Sequence, residues 1–228
     1  MIYPNILHAT FISRPNRFIA YVKANGRQLT CHVKNTGRCK ELLVPETPVV
    51  LQYHPQALEK GRKTEYSLIG AYKKTALGFK LVNMDSQAPN QVAWEWLLAG
   101  KVRNLRREVP YGSSRFDLAF LQNGIPAYME VKGVTLEEGG IARFPDAPTE
   151  RGVKHLMELE QAAADGYLSY ILFVIAMKGV HAFEANKAAH PEFAQALAHA
   201  AAHGVKVLAY DCVAKPDFLA MDAPVPLI

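Results

Sequence analysis

A chain of 228 residues, half of them hydrophobic, carries enough apolar material for one large core or two small ones, so an ordinary folded protein is expected rather than a disordered one. No apolar run reaches the ~18 residues a membrane span needs, and Met1 to Thr10 lacks a charged segment followed by an apolar core; the expected address is the cytoplasm, with no membrane partner. Residues 1–82 carry 13 Lys or Arg against four acids, a balance of +9, and the remainder carries 13 against 17, or −4. A segment so one-sided attracts polyanions, which makes nucleic acid the first partner to weigh against a merely solvated surface.

The first third reads as short strands with turn punctuation. Arg17 to Ala24 alternates apolar and other residues, Asn25-Gly26 supplies a type I′ turn, and Arg27 to Lys34 returns as the second arm of a hairpin. A helical turn at Cys39 to Leu43 and strands at Thr47 to Tyr53, Glu65 to Lys73 and Leu77 to Val82 follow. Five short strands and one small helix suit a barrel of the OB type, although other small barrels share that count. After Gln87 the period changes. Helices are predicted at Gln91–Leu98, Glu150–Asp165 and Pro191–His203, and strands at Leu105–Val109, Arg115–Leu121, Ala127–Val131, Leu168–Ile175 and Val205–Tyr210. This order implies a mixed sheet flanked by helices, hence an α/β (α+β) chain divided into residues 1–84 and 85–228. Trp94 and Trp96 are read as core, and Cys31, Cys39 and Cys212 as reduced thiols.

The densest chemistry lies in Arg115-Phe116-Asp117-Leu118 and Glu130-Val131-Lys132. Alternation sends Phe116, Leu118, Met129 and Val131 to one face and Arg115, Asp117, Glu130 and Lys132 to the other. With Asn123-Gly124 as a two-residue turn, Asp117 stands opposite Glu130; Pro126, which lacks a backbone donor, threatens that register with a bulge. Opposed carboxylates destabilise a sheet unless a cation compensates them, and hard oxygen ligands suit Mg²⁺ or Mn²⁺. An Asp followed by Glu-x-Lys on the next strand resembles the PD-(D/E)XK nuclease superfamily, in which the acids hold metal and the lysine positions or activates water. On the pattern alone, a solvated cross-strand pair satisfies it equally.

The helix that follows raises the weight of the metal reading. Thr149 is an N-cap, after which Arg151, Lys154, His155 and Glu158 form one polar stripe opposite Leu156, Leu159 and Ala163. Cations in the first turns of a helix suit a phosphate guest; otherwise they are a solvated face. Glu95 is a candidate third carboxylate, against the alternative of a solvent-facing helix acid.

Along nearly its whole length the chain resembles the sugar fermentation stimulation protein family. The matching stretches are Arg14 with Arg17-Phe18, Asn35-Thr36-Gly37-Arg38-Cys39-Lys40-Glu41-Leu42-Leu43, Pro89-Asn90, Ser114-Arg115-Phe116-Asp117, Glu130-Val131-Lys132-Gly133-Val134-Thr135-Leu136, and Phe144 to Leu156. The resemblance implies an OB-like N-terminal β-barrel, a PD-(D/E)XK nuclease-like C-terminal domain, DNA binding, and a role in regulating sugar metabolism, maltose in particular. Glu46 stands where that family usually has glycine.

The expected site is therefore Asp117, Glu130 and Lys132 for catalysis, with Asp117, Glu130 and Glu95 as metal ligands. Nucleic acid is expected on Arg14, Arg17, Asn35, Thr36, Gly37, Arg38 and Lys40 in the barrel, and on Arg115, Arg151, Lys154 and His155 beyond it. For the Asn35-Thr36-Gly37 turn a purely structural role stays open. Three readings compete: a metal-dependent nuclease, a DNA-binding regulator on a non-cutting nuclease fold, and an RNA-processing protein. Oligomeric state is left open, a homo-oligomer included.

Overall fold

The structure, a computed structural model, describes every residue except Thr36, Leu77, Lys101 and Ser113. The chain packs as two compact units. The first comprises Met1–Ala88, Ala176–Lys178 and Cys212–Ala220; the second comprises Pro89–Ile175, Gly179–Asp211 and Met221–Ile228. The main boundary falls after Ala88, and two short stretches of the later chain return to the first unit.

In the first unit six strands, β1 (Ile6–Asn16), β2 (Ile19–Ala24), β3 (Arg27–Val33), β4 (Pro48–Tyr53), β5 (Tyr66–Thr75) and β6 (Gly78–Asn83), form one sheet in the order β3-β2-β1-β4-β5-β6. A further parallel pairing of β3 with β5, from Cys31↔Tyr66 to Val33↔Leu68, closes the sheet on itself as a barrel. The β2–β3 hairpin turns at Asn25 (φ 50°) and Gly26 (φ 75°), both left-handed, as a type I′ turn demands. Its inward residues Ala20, Val22, Cys31 and Val33 are buried with Phe11, Leu51 and Leu68. Strand β1 was not anticipated, because two register shifts between Phe11 and Asn16 interrupt the alternation that would announce it. The expected helix at Cys39–Leu43 is a single turn, closed by the Leu43 amide donating to the Cys39 carbonyl at 2.9 Å.

The second unit contains α1 (Ala88–Ala99, its first residue belonging to the first unit), β7 (Arg103–Tyr111), β8 (Ser114–Gln122), β9 (Ile125–Val134), β10 (Leu136–Glu138), β11 (Ile141–Phe144), α2 (Glu150–Ala164), β12 (Leu168–Ile175), β13 (Ala182–Ala185), α3 (Pro191–Ala202), the part of β14 (Val205–Lys215) before Cys212 and the part of β15 (Phe218–Pro224) after Ala220. The main sheet runs β15-β14-β12-β9-β8-β7, antiparallel through β7, β8 and β9 and parallel through β9, β12 and β14; β10, β11 and β13 make a second, small sheet. Strand β12 is a nearly continuous apolar run because it lies between two parallel neighbours, a setting buried on both faces. Helix α2 packs on β9, β12 and α3. Trp94 and Trp96, expected in the core, are only half-buried: Arg107 stacks on Trp94, and Trp96 packs on Tyr210. Among the described residues no helix is long and apolar enough to cross a membrane, and no disulfide joins the three buried cysteines.

Candidate metal and phosphate site

The β8–β9 hairpin has the expected register. Asn123 (φ 53°) and Gly124 (φ 83°) form the turn, and pairing runs without a bulge from Gln122↔Ile125 to Leu118↔Met129. Pro126 causes no defect. Its partner is Leu121, one step from the closing pair of a two-residue turn, where antiparallel strands exchange no hydrogen bonds. One step past Leu118↔Met129 the described pairing stops, and the Asp117 side chain takes over. Asp117 Oδ2 accepts the Val131 amide at 2.8 Å, and Oδ1 accepts from Asn90 Nδ2 at 2.7 Å. Asn90 reaches this position because α1 begins directly against β9. A Cβ on Gly133 would stand 2.6 Å from Pro89 Cγ, so only glycine permits the approach.

Glu130 is not on a solvated face. Only 3% exposed, it lies beneath α2 with His155, itself 4% exposed. Its Oε1 is bonded to His155 Nδ1 and accepts from Lys132 Nζ at 2.6 Å, while Oε2 is buried with no partner. Arg151 Nε donates to His155 Nε2 at 3.3 Å, which assigns the imidazole proton to Nδ1, facing the carboxylate. A relay from Arg151 through His155 to Glu130 results. Burial first, and then the charge of Glu130, pushes Asp117 up to about 6. Burial acts on Glu130 in the same direction, yet the bonds from His155 and Lys132 outweigh it and hold Glu130 below the usual carboxylate range.

The α2 stripe is rotated from its expected setting. The buried set is Gly152, His155, Leu156, Leu159 and Ala162; Ala163 is only half-buried, and His155 turns inward to the acids. Thr149 does cap the helix, its Oγ1 accepting the Gly152 amide at 3.1 Å. Arg115, Arg151 and Lys154 line a cleft of about 390 Å³ with His155 at its edge, so all four expected phosphate contacts of this unit meet in one place. Glu95 does not join Asp117 and Glu130 in any ligand cluster among the described residues; it accepts from Gln91 Nε2 at 2.7 Å, half-exposed on α1. The side chain that reaches Asp117 from α1 is Asn90. The resemblance quoted Pro89-Asn90 but gave it no role, and no spacing rule pairs a helix amide with a strand acid 27 positions on.

In the barrel unit the expected contacts divide. Arg14 is a scaffold: its NH1 donates to the carbonyls of Gly37 and Arg38 at 2.8 and 2.9 Å, and its NH2 to those of Arg17 and Asn35 at 2.7 and 2.8 Å. A guanidinium so committed shapes a loop instead of offering a fork to phosphate. Asn35 Oδ1 accepts the Gly37 amide at 2.8 Å, an Asx turn. The exposed cations around this hub are Arg17, Arg38 and Lys40, beside the half-exposed ring of Phe18. Thr36 lies outside the described residues.

A buried Glu130 beside a half-buried Asp117, under a helix whose first turns carry Arg151 and Lys154, in a mixed sheet that follows a small closed barrel, defines the class of protein; comparison with known proteins gives the family. Residues 12–82 match the family described as the SfsA N-terminal OB domain, and residues 87–218 match the sugar fermentation stimulation protein RE domain. Sugar fermentation stimulation protein homologs from Desulfitobacterium hafniense and Ruminiclostridium cellulolyticum are 50% identical over 220 residues and 47% identical over 229, covering 95% and 99% of this chain and 93% and 98% of theirs. The solved structure of Pyrococcus furiosus SfsA in complex with Ca²⁺ is 26% identical, with a TM-score of 0.84 over 100% of this chain and 98% of that one. The chain belongs to the sugar fermentation stimulation protein family.

Proposed function

We propose that this protein binds DNA and hydrolyses its phosphodiester bonds with a divalent ion held by Asp117 and Glu130. The observation that carries the reading is two neighbouring acids, one with a buried carboxylate oxygen left without a partner and the other held against its charge. Glu130 Oε2 has no partner, and Asp117 is pushed up to about 6 by burial and by its acidic neighbour. A divalent cation relieves both, and oxygen-only donors favour Mg²⁺ or Mn²⁺; the Ca²⁺ of the Pyrococcus furiosus complex is an ion of the same hard class. When bound, such an ion neutralises charge on a phosphate and makes hydroxide available near neutral pH.

The chain's own residues supply the rest. Arg115, Arg151 and Lys154 receive the phosphates in their cleft. Asn90 and the Val131 amide fix Asp117, and His155, held by Arg151, fixes Glu130. Arg17, Arg38 and Lys40 add sequence-independent attraction in the barrel unit. Regulation of maltose metabolism would act through the same DNA contacts.

One observation favours a second reading, DNA binding without cleavage. The Lys132 ammonium already neutralises Glu130 Oε1 at 2.6 Å, supplying part of the charge an ion would bring. A gel assay separates the two. With Mg²⁺ or Mn²⁺ the purified protein is expected to cut DNA, and Asp117→Asn to bind DNA but not cut it. Cleavage that persists in Asp117→Asn would defeat the site. Binding with no cleavage by the wild-type protein of single-stranded, duplex or branched DNA or RNA would favour the second reading.

A further inference from the structure

A second cluster of metal-ligating side chains lies on α2 and α3, apart from the acidic hairpin. Glu160 of α2 and His199 and His203 at the end of α3 each place one ligand atom so that all three fall within 4.8 Å of one another. We infer that Glu160, His199 and His203 form a binding site for a borderline-soft divalent metal, Zn²⁺ or Ni²⁺, that joins α2 to α3. Histidines four residues apart on a helix share one face, the spacing by which helices present two imidazoles to a single ion.

The hydrogen bonds around the cluster already set it for this task. His203 Nδ1 lies 2.7 Å from the His199 carbonyl, which can only accept, so the proton sits on Nδ1 and the Nε2 lone pair is left for a ligand. Metal-bound histidines are oriented by this same kind of carbonyl bond from their other nitrogen. His199 Nδ1 lies 2.9 Å from Glu160 Oε2, a bond that an ion entering beside the two groups would replace. The two rings stack with centroids 4.1 Å apart. At Zn–N distances of ~2.1 Å two ligand atoms on one ion stand at most ~4 Å apart, so small side-chain rotations close the set. His203 is also the C-cap of α3, where the helix carries its negative end and attracts cations.

Two imidazoles and one carboxylate suit zinc or nickel and disfavour Mg²⁺, which separates this cluster chemically from the all-oxygen pair of Asp117 and Glu130. Three protein ligands on an exposed face leave a position for water, so the ion would exchange readily. None of the three buried cysteines lies on α2 or α3.

The test is titration of chelator-stripped full-length protein with Zn²⁺ in excess Mg²⁺, followed by calorimetry and by thermal melting. Wild type and Asp117→Asn are expected to bind one equivalent and to melt higher with zinc. His199→Ala with His203→Ala should bind at least tenfold more weakly and lose the zinc-dependent rise in Tm, and Glu160→Gln should weaken binding less. Co²⁺ in place of zinc should give a visible spectrum without a thiolate charge-transfer band. Unchanged zinc affinity in the double variant, a thiolate band, or no saturable zinc binding by wild type would each overturn the assignment.

Discussion

At the residue scale, Asp117 and Glu46 show how single positions carry strain. An acid raised to about 6 when folded, against about 4 when unfolded, holds its proton longer in the folded state between those values. Folding stability from this group is therefore intact below about pH 4 and falls as pH rises through about 6, by on the order of 2 kcal/mol. Urea melts of metal-free protein across pH 4–7 should show this fall, and Asp117→Asn should remove most of it. A variant that loses stability in parallel with wild type would mean the carboxylate is not held against its charge. The resemblance marks Glu46 as a departure from glycine, and its φ of 69° is a left-handed conformation that glycine adopts at lower cost. That cost became visible only with the backbone angle.

At the scale of elements, the hairpin was legible and the helix beside it only half so. Asn123-Gly124 sets the β8–β9 turn, and a two-residue turn sets the pairing as far as Leu118↔Met129, so the approach of the two acids one step further on could be read by counting. The direction of His155 could not, because a residue on the edge of an apolar stripe faces water or core according to what lies beneath it. Here that is Glu130, 25 positions earlier in the chain. Strands β10, β11 and β13 have three or four residues each, too short for alternation to declare itself. The close approach of α1 to β9 offers a sharp test. In Gly133→Ala the new methyl meets Pro89 at 2.6 Å, and α1 must shift at a cost of about 1–3 kcal/mol. Because Asn90 moves with α1, divalent-ion affinity should fall along with Tm. A loss of Tm with ion affinity unchanged would separate Asn90 from the site.

For the whole molecule, the charge division seen in the sequence yields a measurable quantity. Each cation that displaces a counterion from duplex DNA contributes about 0.9 to the slope of log affinity against log salt. Replacing Arg17, Arg38 and Lys40 together with alanine should lower that slope by roughly two to three units. Arg14→Ala is a different experiment, since it removes the bonds to four loop carbonyls and should appear first as lost stability. A salt slope unchanged in the triple variant would take this loop off the DNA.

The return of the late chain to the first unit governs how that unit can come into being. The Tyr3 amide donates to the Asp217 carbonyl at 2.8 Å, the Leu219 amide to Met1 at 3.0 Å, and the Asn83 amide to Ala176 at 2.8 Å. A nascent barrel leaving the ribosome would thus wait, with its opening residues unpaired, until residues 217–219 had been made. A fragment cut after Ala88 would keep its own strands but lose these closing bonds.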